Sequence, residues 1–236
     1  MQYRETGTGN APVLLIHGWM VTGRVWDWLL PLLGERRVIV PELWHESTPT
    51  LDRLLDSLRA LCSRLQLNAC HLVGHSMGGQ LATLLAAAAP ERFSSLTLLN
   101  PVPVDGMALP PDIQTFFRRA GGNAEALGRI LDMSCTALAP DRRERLLAEA
   151  LRLDPAIVTA SFDAWHVGQE TVDLAAVTMP ATVLATDDPF LPPAFLETQV
   201  VQRLPNARLV SLSGCGHYPQ VEAPRATAQE MTGTWE

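Results

Sequence analysis

Residues 72–82 read LVGHSMGGQLA. Apolar residues lead into a serine bracketed by glycines, and a helix-forming run follows. Residues 71–73 read as a strand and Met77 onward as a helix, so Gly74-His75-Ser76-Met77-Gly78 must turn the chain within five residues. Glycine at 74 and 78 predicts backbone so close to a neighbouring strand or helix that a side chain would collide with it. The serine is expected to occupy a strained conformation, which costs about 1–3 kcal/mol and persists only where the surroundings impose it. Such a turn lifts the Ser76 hydroxyl above the sheet edge. It also aims the unpaired N–H groups of the helix start at the same place.

The rest of the chain supplies the sheet that such a turn needs. Short apolar runs at 13–16, 38–40, 71–73, 96–99, 182–185 and 207–212 have strand length and little alternation, as strands buried on both faces do. Helical patterns lie between and after them at 24–33, 51–67, 77–89, 193–204 and 224–235. This alternation predicts an α/β doubly wound, mostly parallel sheet. It breaks once, where 111–120, 124–133, 140–153 and 155–165 read as four consecutive helices, three of them opening on proline. Asp154 is expected to cap the last. The organisation expected is a core formed by 1–103 and 174–236, with 104–173 as a helical cap over the C-terminal edge of the sheet.

Composition narrows the partners. The chain has 236 residues, 47% hydrophobic and 18% charged, which describes a folded protein with a sizeable core. A net charge of −7 with scattered arginines argues against nucleic acid and anionic membrane surfaces. The longest apolar run is too short to span a bilayer, and the polar start MQYRETGTGN lacks the apolar region of a secretion signal. Cys62, Cys70, Cys135 and Cys215 form no CxxC pair, and reduced thiols in a cytoplasmic protein are expected.

A serine hydroxyl is a poor nucleophile without a base. Of the six histidines, His217 in SGCGHYPQVEAP follows the last strand and so falls at the same sheet edge as Ser76. His75 and His71 read as structural, with the His75 side chain expected to turn away from Ser76. A carboxylate is required to orient His217, and Asp187 and Asp188 in ATDDPFLP both qualify by position. An oxyanion needs donors. The N–H of Met77 follows the nucleophile, and the N–H of Trp19 in His17-Gly18-Trp19-Met20 follows an early strand. Trp19, Phe162 and Trp165 are expected to line the substrate pocket.

Together these segments resemble the α/β-hydrolase superfamily, in particular small esterases with an HG-x loop. YRETGTGNAPVLLIHG, LVGHSMGGQLA, APERFSSLTLLNP, TMPATVLATDDPFLPP and GCGHYPQVEAP stand in the family's order over nearly the whole chain. The resemblance implies a Ser76–Asp188–His217 triad, because the family's acid stands four residues before a proline, as Asp188 does before Pro192. It implies Trp19 and Met77 as oxyanion donors, a cap inserted after the family's sixth strand, a small-molecule ester substrate and no cofactor.

Two departures stand out. The antiparallel strands that usually precede YRETG are reduced, with the first missing and the second shortened, which leaves an exposed edge. The Gly-rich loop usual after the VIVPEL strand is replaced by Trp44-His45-Glu46. No second histidine follows to complete HExxH, so no zinc is assigned. The expected activity is hydrolysis of carboxylic esters, lactones or thioesters of small to medium hydrophobic substrates through an acyl-enzyme. The alternatives are C–C bond hydrolysis or perhydrolysis with the same triad, and, from another class, ligand binding on a retired hydrolase scaffold. The oligomeric state is left open.

Overall fold

The computed structural model describes residues 1–45, 48–169, 171–233 and 235. Seven strands form one sheet: β1 (Tyr3–Thr6), β2 (Val13–Ile16), β3 (Val38–Pro41), β4 (Cys70–His75), β5 (Phe93–Leu99), β6 (Ala181–Thr186) and β7 (Ala207–Leu212). Their spatial order is β1-β3-β2-β4-β5-β6-β7. β1 runs antiparallel to β3 at one edge, and every other pairing is parallel. β2, β3 and β4 are buried at every residue, which accounts for their unalternating apolar sequence. β1 is the short antiparallel strand expected at the exposed edge.

Helices cover both faces. In α1 (Leu51–Arg64), Leu51, Leu54, Leu58, Leu61 and Cys62 form one buried stripe, and the Thr50 hydroxyl caps the start by accepting from Arg53 N–H. Its end is a Schellman turn: Leu67 N–H reaches Cys62 O and Gln66 N–H reaches Ser63 O, with Gln66 at φ +51°. α2 (Met77–Ala88) is apolar nearly all round because it is buried between the sheet on one side and α1 and the turn at Leu174–Ala176 on the other.

Two expected helices differ. The segment 24–33 forms two short 3₁₀ turns, Gly23–Trp26 and Leu30–Leu32, because Pro31 removes an N–H and obstructs the carbonyl four residues back. The segment 193–204 forms α7 (Pro193–Gln199) and then a 3₁₀ turn at Val201–Arg203, with the break at Val200, the first of two β-branched residues.

Between β5 and β6 lie α3 (Pro111–Arg118), α4 (Ala124–Ser134), α5 (Pro140–Leu151) and α6 (Pro155–Val167). Asp154 caps α6 through Ala156 N–H, as expected. These helices are tied to the sheet region by specific bonds. Trp19 Nε1 donates to Val158 O at 2.8 Å, and Gln80 Nε2, from α2, donates to Pro103 O at 2.8 Å and Trp165 O at 3.1 Å. The chain closes with α8 (Pro219–Glu222) and α9 (Pro224–Thr232). Among the described residues no helix is long and apolar enough to cross a membrane, and all four cysteines are free.

Candidate active site

The strain expected at the turn after β4 is present. Ser76 has φ +55° and ψ −123°, a conformation that side-chain-bearing residues rarely adopt. Backbone bonds on both sides impose it. Ser76 N–H donates to Leu99 O at 3.0 Å, and Ser76 O accepts from Gly79 N–H at 2.8 Å and Val102 N–H at 3.1 Å. The flanking glycines are required by space: a Cβ on Gly74 would lie 2.3 Å from Gly78 O, and one on Gly78 would lie 2.3 Å from Ile16 O. Helix start and strand end therefore pack backbone to backbone.

The loop after β2 arrives at the same point. A Cβ on Gly18 would stand 3.0 Å from both His75 O and the Ser76 Cβ, so the His17-Gly18-Trp19 backbone lies directly against the serine. Neither Trp19 N–H nor Met77 N–H has a hydrogen-bond partner among the described residues. Met77 begins α2, where the first amides have no intrahelical acceptor.

His217 is held from two directions. Its Nδ1–H donates to Asp188 Oδ2 at 2.6 Å. Asp188, buried, also accepts from Phe190 N–H at 2.9 Å through Oδ1. With the proton on Nδ1, Nε2 carries the lone pair a base needs. Asp187, the other candidate, turns the opposite way and accepts from Gly214 N–H at 2.7 Å.

The remaining contacts of the histidine loop were not legible in the sequence. Glu222 accepts four backbone N–H groups, from Gly216 and Tyr218 on either side of His217 and from Thr136 and Ala137 just beyond α4. His217 N–H itself donates to Ser134 O at 2.8 Å. The His217 carbonyl accepts from His75 Nε2 at 2.8 Å and from Asn100 Nδ2 at 3.2 Å. His75 thus does more than fill space beside the serine, because it fixes the backbone of the second histidine, with ring centroids 4.9 Å apart. Burial, together with the nearby His217, holds its imidazole well below the ordinary 6.5. The signal available in the sequence was a second histidine within the turn itself.

Ser76 and His217 line one pocket, with about 510 Å³ of empty space counting its mouth. No hydrogen bond joins the Ser76 hydroxyl to the imidazole in this structure, a contact of the kind that tightens when substrate binds. Trp19 and Trp165 are in its wall, with the apolar side chains of Met107, Phe117 and Ile130. Phe162 is not. It is fully buried behind the wall, 5.7 Å from Trp19 and 5.1 Å from Trp165 between ring centroids. His166 stacks on Phe162, and Arg118 pairs with Asp163. Glu46, noted above beside His45, lies outside the described residues, and among those described no group of side chains has the makings of a metal site.

The model of the alpha/beta hydrolase family matches residues 13–230. A pimeloyl-[acyl-carrier protein] methyl ester esterase of Nitrosomonas europaea is 26% identical, over 92% of this chain and 93% of its own. A 2-hydroxy-6-oxononadienedioate/2-hydroxy-6-oxononatrienedioate hydrolase of Paraburkholderia xenovorans is 25% identical, over 94% and 86%. Among solved structures, a thermophilic esterase from Thermogutta terrifontis superimposes with a TM-score of 0.83 at 25% identity, over 98% of this chain and 91% of that one.

Proposed function

This chain belongs to the alpha/beta hydrolase family, and on that premise we propose that it hydrolyses carboxylic esters through an acyl-enzyme on Ser76. The observation that carries the proposal is the 2.6 Å bond between buried Asp188 and His217 at the wall of the pocket that also exposes Ser76. Asp188 fixes the tautomer that leaves Nε2 basic and stabilises the imidazolium that forms. His217 takes the proton as Ser76 Oγ bonds to the ester carbonyl carbon. The oxyanion accepts from the free N–H groups of Trp19 and Met77. His217 then gives the proton to the departing alkoxide. Water attacks the acyl carbon with His217 again as base, and Ser76 is released with the acid product.

Residues 104–173 act in this reading as a cap, with Trp165, Met107 and Ile130 facing the acyl or alcohol group. Among the described residues no arginine or lysine lines the pocket. That favours an uncharged ester over a dienedioate of the kind named for the relative from Paraburkholderia, whose two carboxylates would lose hydration without a cation in return. A series of p-nitrophenyl esters of graded acyl length, set against a vinylogous diketone, tests the reading. Ester turnover with no diketone cleavage is expected. Diketone cleavage without ester turnover contradicts it.

A further inference from the structure

The next claim rests on the ester site just proposed and concerns what aims its oxyanion donors. The direction of Met77 N–H is set by the turn at Ser76 and the start of α2. Trp19 N–H belongs to a loop, and that loop carries strain of its own, since buried Met20 has φ +51°. A residue with a side chain keeps such a conformation only where its surroundings impose it.

His17 supplies a constraint at the start of that loop. Its ring is fully buried, with Nδ1 3.0 Å from Gly18 O. A carbonyl only accepts, so Nδ1 carries a proton and donates it. No other described residue donates to Gly18 O. That oxygen and the Trp19 N–H belong to one planar trans peptide and point in opposite directions. Fixing the oxygen therefore fixes the direction of the N–H. Gly18 itself lies against the nucleophile, where a Cβ would meet that of Ser76 at 3.0 Å.

The imidazole is held in turn by the residues that leave β3. Leu43 N–H donates to Nε2 at 3.1 Å. Glu42 Oε1 also lies 3.1 Å from Nε2, while Oε2 accepts from Gly23 N–H at 3.1 Å. Nδ1 keeps its proton whether Nε2 accepts from Leu43 or, protonated, donates to Glu42. Trp44, at the place of the usual Gly-rich loop, meets the ring edge-on with centroids 5.3 Å apart, and its Nε1–H donates to Val21 O at 2.6 Å. Residues 17, 21 and 23 are thus all tied to one short stretch.

We propose that His17 is a positioning residue for the oxyanion hole: its Nδ1–H pins the Gly18 carbonyl and so aims the Trp19 N–H at the developing charge. His17 does not line the pocket and acts only through this peptide.

The test uses two variants that each keep one ring nitrogen. The amide nitrogen of Asn falls at the place of Nδ1 and that of Gln at the place of Nε2, so His17→Asn retains the donor to Gly18 O and His17→Gln loses it. The probe is trifluoromethyl hexyl ketone, set against the matching carbinol. Ser76 Oγ bonds to the ketone carbon, the serine proton passes to His217, and the C=O π pair becomes the charge of an oxyanion. The carbinol can form none. Both dissociation constants are taken by calorimetry, where a smaller folded fraction alters the stoichiometry and not the constant.

His17→Gln should bind the ketone about 10²-fold more weakly, with a similar loss of kcat/KM on p-nitrophenyl hexanoate, as for one lost oxyanion donor. In His17→Asn both should stay within about tenfold of the unaltered protein, and carbinol binding should move less than about threefold in either variant. Ketone binding that falls equally in both variants overturns the proposal. Nitrogen NMR of the unaltered protein checks the bond without a variant: Nδ1 of His17 should resonate as protonated, and an unprotonated Nδ1 overturns the proposal too. Ester turnover with a ketone preference that is absent, or that survives His17→Gln, overturns this claim alone. An unaltered protein with neither turnover nor ketone preference contradicts the hydrolase reading and this claim with it.

Discussion

Asp188 Oδ2 and His217 Nδ1 stand 2.6 Å apart, with the carboxylate fully buried and the imidazole at the wall of the pocket. The carboxylate of the adjacent Asp187 accepts instead from the Gly214 amide. Replacing Asp188 by Asn keeps the shape but permits the wrong tautomer, so kcat is expected to fall about 10⁴-fold. Asp187→Asn should retain kcat within about tenfold, since it touches the loop and not the base. Steady-state kinetics of the two variants, side by side, decide between the two carboxylates.

Glu222 joins the histidine loop to the end of α4 through four backbone amides. Glu222→Gln puts an NH₂ group where only acceptors fit. Both Tm and kcat should drop, with kcat falling about 10- to 100-fold at a temperature where the variant is fully folded. Thermal denaturation followed by kinetics below the transition separates the two losses. Unchanged kcat in the folded variant would show that the loop does not need this clamp.

His75 makes stability depend on pH. Its folded-state imidazole is held well below 6.5 by burial first and by His217 second, whereas the unfolded chain titrates near 6.5. Below that value the unfolded state binds the extra proton, so stability is fully present above about pH 6.5 and is lost as the pH falls toward the depressed folded value. His71, also lowered by burial and by Arg36, adds in the same direction. Tm measured from pH 8 to 5 should decline below about 6.5. The decline should be shallower in His75→Gln, which keeps a donor for the His217 carbonyl but does not titrate.

Gly78 has no room for a methyl group, since Ile16 O and His17 O would lie 2.3 and 2.4 Å from it. Gly78→Ala must separate the start of α2 from the end of β2 and with them the two free amides. A loss of about 1–3 kcal/mol is expected, which lowers Tm by roughly 2–4 °C per kcal/mol in a chain of this size. Activity should fall further than stability alone explains, because the amides of Trp19 and Met77 move apart.

The fold was legible where local chemistry and global position agree. The turn at Ser76 combined an apolar strand, two glycines and a helix start, and each required the others. Three of the four helices between β5 and β6 were readable from prolines at their first turns. The segment 24–33 misled because its apolar spacing is helical while Pro31 is not, and the proline wins by removing a hydrogen bond. In the site, the position of residues after strand ends brought Ser76, His217 and the pair Asp187 and Asp188 to one sheet edge in the sequence reading, and only the family resemblance chose between the two carboxylates. Asn100, Thr186, Glu222 and the inward face of His75 could not be placed, since their hydrogen bonds to the histidine loop go to backbone atoms brought together by the sheet. Phe162, expected at the pocket, is fully buried outside its lining: helical periodicity says that a residue is buried but not which neighbours it packs against.

Reaction with an alkyl fluorophosphonate, read by intact mass and peptide mapping, tests Ser76 as the nucleophile. One adduct per chain is expected, on Ser76. None is expected in Ser76→Ala, and labelling should slow about 10³-fold or more in His217→Ala. Absence of any adduct on the folded protein, or labelling that persists in Ser76→Ala, would contradict that role.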